Sequence, residues 1–147
     1  MRTAPGSTTV TRSKSELLLE LTQPVLDAFD TALETSAGLP DSEGVPAAAA
    51  AYLDVALEHR EIVRQLARDL SFLGEHEVIA ERFRSIIRRT NELVARGATD
   101  LRSRVIAAQV VAGLGDVVAI FADAPVHEVR RHALDGARAT LGVLRER

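Results

Sequence analysis

Few side chains in this sequence are of a type and spacing that could do chemistry. His76-Glu77, with Glu81 one turn on, is half of a helical HExxH pattern. That pattern places two histidines on one face to hold zinc and a glutamate as general base, but the position due to carry the second histidine is Ala80. The acidic residues that follow His76 suit a helix N-terminus, where carboxylates meet the positive end of the helix dipole. His59, His127 and His132 have no partner at ligand spacing, and the chain contains no cysteine for a thiolate site or a disulfide. No nucleophile elbow, phosphate loop or dinucleotide fingerprint occurs. The expectation is therefore no metal, no cofactor, no catalytic residue and no enzymatic activity.

Polar groups in unusual places carry more information. Arg82, Arg84, Arg88 and Arg89 crowd one segment. Such a cluster can receive an anionic partner or a ligand carboxylate. The competing reading is a solvated face paired with Glu81 and Glu92. Between Val105 and Ala122 the strongly polar residues are Gln109 and Asp116. A buried amide must find hydrogen-bond partners, so Gln109 is a candidate for a pocket, a subunit contact or simple exposure. For Asp116 a subunit interface is favoured. Gly113-Leu114-Gly115 puts two glycines inside a helical pattern, which suits close packing of another element.

The elements that position these groups are helices. Hydrophobic residues make up 46% of the 147 residues and aromatics only 3%, with no Trp and one Tyr. A core of Ala, Leu, Val and Ile favours helix on helix over a β-sandwich. Ser13-Lys14-Ser15-Glu16, followed by Leu17-Leu18-Leu19, reads as a capping box. It starts a first helix over about 14–36, with Leu18, Leu21, Val25, Phe29 and Leu33 on one face and a kink or break expected near Gln23, before Pro24. A second helix spans about 46–58, with Pro46 at its first position and the Ala47–Ala51 run inside it. A third spans about 61–70, and residues 71–74 read as an apolar loop. A fourth spans about 77–96, with the stripe Ile79, Phe83, Ile86, Ile87, Leu93 and Val94. A fifth spans about 100–122, with Thr99 as expected N-cap. Ala124-Pro125 precedes a sixth that runs to the end, with Val126, Val129, Ala133, Ala137, Leu141 and Leu144 in register. The fold class expected is all-α, a bundle of about six helices in a single domain. The fifth helix approaches the length of a membrane span. Asp116 and the many Ala and Gly residues favour instead a central helix that contacts its own core and a partner. The net charge of −3 supplies no basic surplus for nucleic acid. No apolar leader segment is visible, and a cytoplasmic location is expected.

This order of helices resembles the C-terminal regulatory domain of the TetR family of transcriptional repressors. The local match begins at PGSTTVTRSKSELL, residues 5–18, where Gly6-Ser7-Thr8-Thr9 fits the start of a recognition helix and Ser13-Lys14-Ser15-Glu16-Leu17 fits the entry into the first regulatory helix. The aromatic pair usual between them is replaced by Val10-Thr11. Tyr52 to His59 looks like the family segment ending in EHP, with Arg60 in place of the proline. The Ala/Gly-rich stretch from Val105 to Ala122 and the closing amphipathic helix complete the match.

The resemblance implies a small apolar or amphipathic effector bound among the first, second, fourth and fifth helices, with Phe29, Tyr52, Phe83, Ile87 and Gln109 as candidate ligand-binding residues. It also implies a homodimer in which the last two helices of each copy form a four-helix bundle. The candidate interface residues are Gly113, Asp116, Val117, Phe121, Val129, Ala133, Ala137 and Leu141. Residues 1–12 are expected to be a stub of a DNA-binding domain, and 13–147 the ligand-binding and dimerisation domain. The alternatives are a helical module that pairs with intact family members and, as a third reading, a small helical enzyme. A recognition helix needs a supporting helix across the phosphate backbone, so this chain alone is expected not to bind operator DNA. A mobility-shift assay at physiological salt is expected to show no sequence-specific complex, and a discrete competitor-resistant band would refute the expectation.

Overall fold

The computed structural model describes residues 13–145, so the expected stub at residues 1–12 lies outside the described residues. Those described form an all-helical bundle of seven helices with no strand. Helix α1 (Lys14–Ser36) starts where the capping box places it, with Ser13 Oγ accepting from the Glu16 N–H at 3.0 Å. It runs unbroken through Pro24, whose ring is on the exposed side. The expected break does not form, because burial of Leu18, Val25, Leu26, Phe29 and Leu33 on one face holds both halves in line.

Helix α2 (Ala47–Glu58) begins one residue later than expected, with Pro46 as the N-cap. Its small side chains Ala48, Ala49 and Ala50 are buried, and so are Tyr52, Leu53, Val55, Ala56 and Leu57. Most of its circumference therefore lies inside the bundle. Helix α3 (Arg60–Arg68) is followed by a short helix α4 (Leu70–Glu75) where the sequence suggested an apolar loop. Asp69 caps this turn by accepting from the Phe72 N–H at 3.1 Å. Phe72 anchors it, fully buried and 4.6 Å from the His76 ring. Helix α5 (Glu77–Val94) and helix α6 (Leu101–Ile120) follow. The N-cap of α6 is Asp100, which accepts from the Ser103 N–H at 2.9 Å, so Thr99 does not cap it. Helix α7 (Val126–Gly142) closes the bundle.

Aliphatic side chains fill the core, Leu26, Leu33, Leu53, Ile86, Val111 and Val118 among them. Two threonines are fully buried as well. Thr22 and Thr90 donate their hydroxyls to the carbonyls of Leu18 (2.6 Å) and Ile86 (2.7 Å), one turn back, so neither leaves a polar atom unpaired.

The arginines act mostly as clamps between elements. Arg82 donates to Asp27 (2.9 Å) and Asp30 (2.7 Å), and Arg89 to Asp30 (3.3 Å), tying α5 to α1. Arg84 pairs along its own helix, with Glu77 and Glu81, as do Arg64 with Glu61 and Arg138 with Asp135. At the other side Arg130 binds Glu43 and Asp54, and Arg138 donates to the Glu43 carbonyl at 2.7 Å. Glu43 and Gly44 both have positive φ (54° and 81°), and a Cβ on Gly44 would lie 2.6 Å from the Arg138 side chain. The positive φ of Gly44 is what favours glycine in the α1–α2 turn, and the Arg138 side chain of α7 lies across it. The Arg130 hydrogen bond holds the Glu43 carboxyl below its ordinary value.

Each of these pairs is part-exposed, so each is modest in energy. Replacing Asp30 by Ala removes the partner shared by Arg82 and Arg89. It is expected to lower stability by about 1 kcal/mol in urea unfolding, and the loss should shrink at high salt.

Candidate functional site

The one tyrosine of the chain lies where three helices meet. Its ring packs against Phe29 of α1, with centroids 5.3 Å apart and planes tilted by 35°. Its hydroxyl reaches α6 at Gly115, where a Cβ would stand 3.1 Å from the phenolic oxygen. That is tighter than ordinary side-chain contact, so any larger residue here would make the phenol give way by a few tenths of an ångström. Burial, reinforced by the negative charge of Asp116, pushes the Tyr52 phenol up to about 12. The neutral hydroxyl is therefore the form that the fold accepts.

The five expected ligand-binding residues do not converge. Phe29 and Tyr52 are in contact and buried, and Phe83 is half-buried against the same core. Ile87 and Gln109 are exposed, on separate surface grooves. Helical rotation explains the split. Ile86 and Ile87 are about 100° apart on α5, so only one can face inward, and Ile86 is the buried one. On α6 the same rotation buries Val110 and turns Gln109 outward.

The expected interface residues divide as well. Gly113 and Val117 of α6, with Ala133 and Ala137 of α7, line one groove of about 440 Å³ between the two helices, together with Gln109, His132 and Gly136. Asp116 and Phe121 are exposed on α6. Val129 and Ala137 are buried in the chain's own core, and Ala133 and Leu141 pack half-buried against it. The apolar stripe of α7 thus faces inward, chiefly onto α6 and α2, with Leu134 buried beside it. Docking of α7 turns its own four expected interface residues toward the core, while Gly113, Asp116 and Phe121 of α6 stay exposed.

What remains outward is a stripe on α6 that no single residue signals. Leu101, Val105, Gln109, Ala112, Gly113, Asp116 and Ile120 are all exposed and recur at helical spacing. Leu101 is 75% and Ile120 70% exposed, with Phe121 at 52% just beyond. The signal in the sequence was the absence of a polar face on this helix. By length and composition α6 could cross a membrane, while in this bundle its inner side packs on α2, α3, α5 and α7.

Histidine and carboxylate chemistry is dispersed. His76 Nε2 lies 2.7 Å from Ser15 Oγ, joining α1 to the α4–α5 corner. No group of three or more His, Asp or Glu among the described residues is placed to hold a metal ion.

Tyr52 offers a direct optical test of its surroundings, because phenolate absorbance in this chain reports on it alone. In the folded protein the transition is expected near pH 12, and in urea near the ordinary 10.0. The raised value has a defined consequence for stability. Its contribution is complete below the unfolded value and is lost as pH rises through the folded one, about 2–3 kcal/mol in all. A native midpoint at the ordinary value would show that the hydroxyl is solvated. The chain matches no known family model, no curated protein and no solved structure.

Proposed function

We propose that this chain is the ligand-sensing and dimerisation domain of a TetR-like transcriptional regulator, and that α6 and α7 of two copies pair as a four-helix bundle. The observation that carries the pairing is a contrast among glycines. Gly115 has an internal reason, since Tyr52 fills the space where its side chain would be. Gly113 and Gly136 have none, because nothing lies within 4 Å of a Cβ built on either. Each sits inside a helix, where glycine costs about 0.5–1 kcal/mol relative to alanine. The chain's own packing does not require that cost, whereas close approach of another helix does.

The surroundings support the same reading. Gly113 and Gly136 line the same groove, and the exposed Leu101, Val105, Ile120 and Phe121 extend an apolar strip along α6. Contiguous apolar surface of this kind marks an interaction site. A second copy would bring the same strip across a twofold axis, which makes the surface self-complementary.

The sensing half of the proposal rests on the family resemblance and on the Phe29–Tyr52 pair. These rings fill their own space, so an effector there would have to displace Tyr52 from Phe29. Such a ligand acts on the pairing only through a difference in affinity between two arrangements of the bundle. Movement of Tyr52 bears directly on Gly115, one residue from Asp116 on the outward face, which is a short route for that difference.

The pairing is tested by Gly113→Arg. The open space around Gly113 means that the monomer fold should be kept, and the helix gains intrinsic propensity. Light scattering at micromolar concentration is expected to give a dimer for the unaltered chain and a monomer for Gly113→Arg. Gly113→Ala, which adds one methyl at the crossing, is expected to weaken the dimer without abolishing it. A monomeric mass for the unaltered chain overturns the pairing.

A further inference from the structure

A second groove flanks α6 on the side away from α7, and its chemistry is different. It lies between α5 and α6, has a volume of about 840 Å³, and is closed at one end by Gly97, Ala98 and Thr99. That size falls within the roughly 300–1,000 Å³ of small-molecule sites. Its apolar wall consists of Ile87 from α5 and Leu101, Val105 and Ala108 from α6. Ile87, Leu101 and Val105 are all exposed.

The rim is basic. Arg84 and Arg88 stand one turn apart on α5, and Arg104 faces them from α6. Arg88 and Arg104 differ in state from the arginines around them. Arg82 and Arg89 are occupied by Asp27 and Asp30, and Arg84 by Glu77 and Glu81. Among the described residues neither Arg88 nor Arg104 has an ion-pair partner. The one acidic residue lining the groove is Glu92, so the local balance stays positive. At its wall, Asn91 Oδ1 is buried with no hydrogen-bond partner among the described residues. A chain whose net charge is −3 thus keeps two uncommitted guanidinium groups beside an exposed apolar strip.

The geometry points to a binding site in the α5–α6 groove for an amphipathic anion, a small molecule with an alkyl chain on Ile87, Leu101 and Val105 and a carboxylate between Arg88 and Arg104. The two parts of the ligand match the two parts of the groove. The chain removes apolar surface from water on both helices, and guanidinium groups receive carboxylate in paired hydrogen bonds. The site shares only α6 with the groove lined by Gly113 and Gly136. Leu101 and Val105 also belong to the exposed α6 strip proposed to meet a second copy, so Arg88 and Arg104 are what distinguish this site, and it does not require movement of Tyr52.

Decanoate, below the concentration at which it forms micelles, is the probe, with binding followed by titration calorimetry and the fold by circular dichroism. Saturable binding of one decanoate per chain is expected. Hexanoate should bind at least about tenfold more weakly, since each methylene buried contributes up to about 0.8 kcal/mol. Decyltrimethylammonium, with the same tail and the opposite charge, should also lose about tenfold. Arg88→Gln combined with Arg104→Gln is expected to weaken decanoate binding about tenfold. Removing the same charge at the exposed Arg68 and Arg131 should change it less than about twofold. Leu101→Asp gives a second probe of the wall on a largely exposed side chain, and it too should weaken binding. The proposal is overturned if no saturable binding occurs, if the cationic amphiphile binds equally well, or if the Arg68/Arg131 pair matters as much as Arg88/Arg104.

Discussion

Helix α6 is apolar around nearly its whole circumference, and the bundle covers only part of it. α2, α3, α5 and α7 bury Ala107, Val110, Val111, Leu114 and Val118 along one side. The other side keeps Leu101, Val105 and Ile120 in solvent. The rest of the molecule is arranged around this helix. Tyr52 of α2 fits because α6 has Gly115 opposite it, α7 docks because its own stripe turns toward α6, and both larger grooves beside α6 exist because it stands between α5 and α7 as a ridge. An uncovered apolar ridge costs solubility and is seldom kept without a partner for it.

Few rings and many small residues set how closely the helices approach. The buried Ala48, Ala49 and Ala50 let α2 lie inside the bundle, where larger side chains would hold its neighbours away. Close packing of this kind leaves little tolerance, and orientation is then fixed at the margins by charge. Arg82 and Arg89 tie α5 to α1, while Arg130 and Arg138 tie α7 to the α1–α2 turn. Each pair is weak on its own, yet together they set how α5 and α7 present their grooves. Arg88 and Arg104 lie outside these clamps and line the α5–α6 groove.

The helices were legible in the sequence because their cues are local. Ser13 caps α1, and the stripes of α1 and α5 recur at helical spacing. The short helix α4 was hidden because one buried Phe72 and an Asp69 cap leave too few residues for a periodic pattern. Pro24 misled in the other direction, since tertiary burial on both sides of it outweighs one lost hydrogen bond. The candidate site was harder to read. Periodicity identifies an apolar face but not whether the chain itself or a partner covers it. Val129 and Ala137 are buried in the chain's own core, while Ile87 lies in the open α5–α6 groove and away from Phe29 and Tyr52. The pairing partners of the arginines depend on α1 lying beside α5, which no spacing along α5 reveals.

The two grooves on α6 differ in what they could select. The one toward α7 is lined by Gly113, Gly136, Ala133 and Ala137 among larger apolar residues, with Gln109, His132 and Thr140 as its polar points. The one toward α5 has larger apolar side chains and uncommitted positive charge, which favours a tail with an anionic head. Both surfaces share α6, and α6 also receives Tyr52 at Gly115. A rotation or shift of this helix by a fraction of a turn would therefore change all three contacts together. Coupling between an interior ligand, a surface ligand and a second copy of the chain thus needs no relay through distant residues. It needs only that the occupants of the three contacts prefer different positions of one helix.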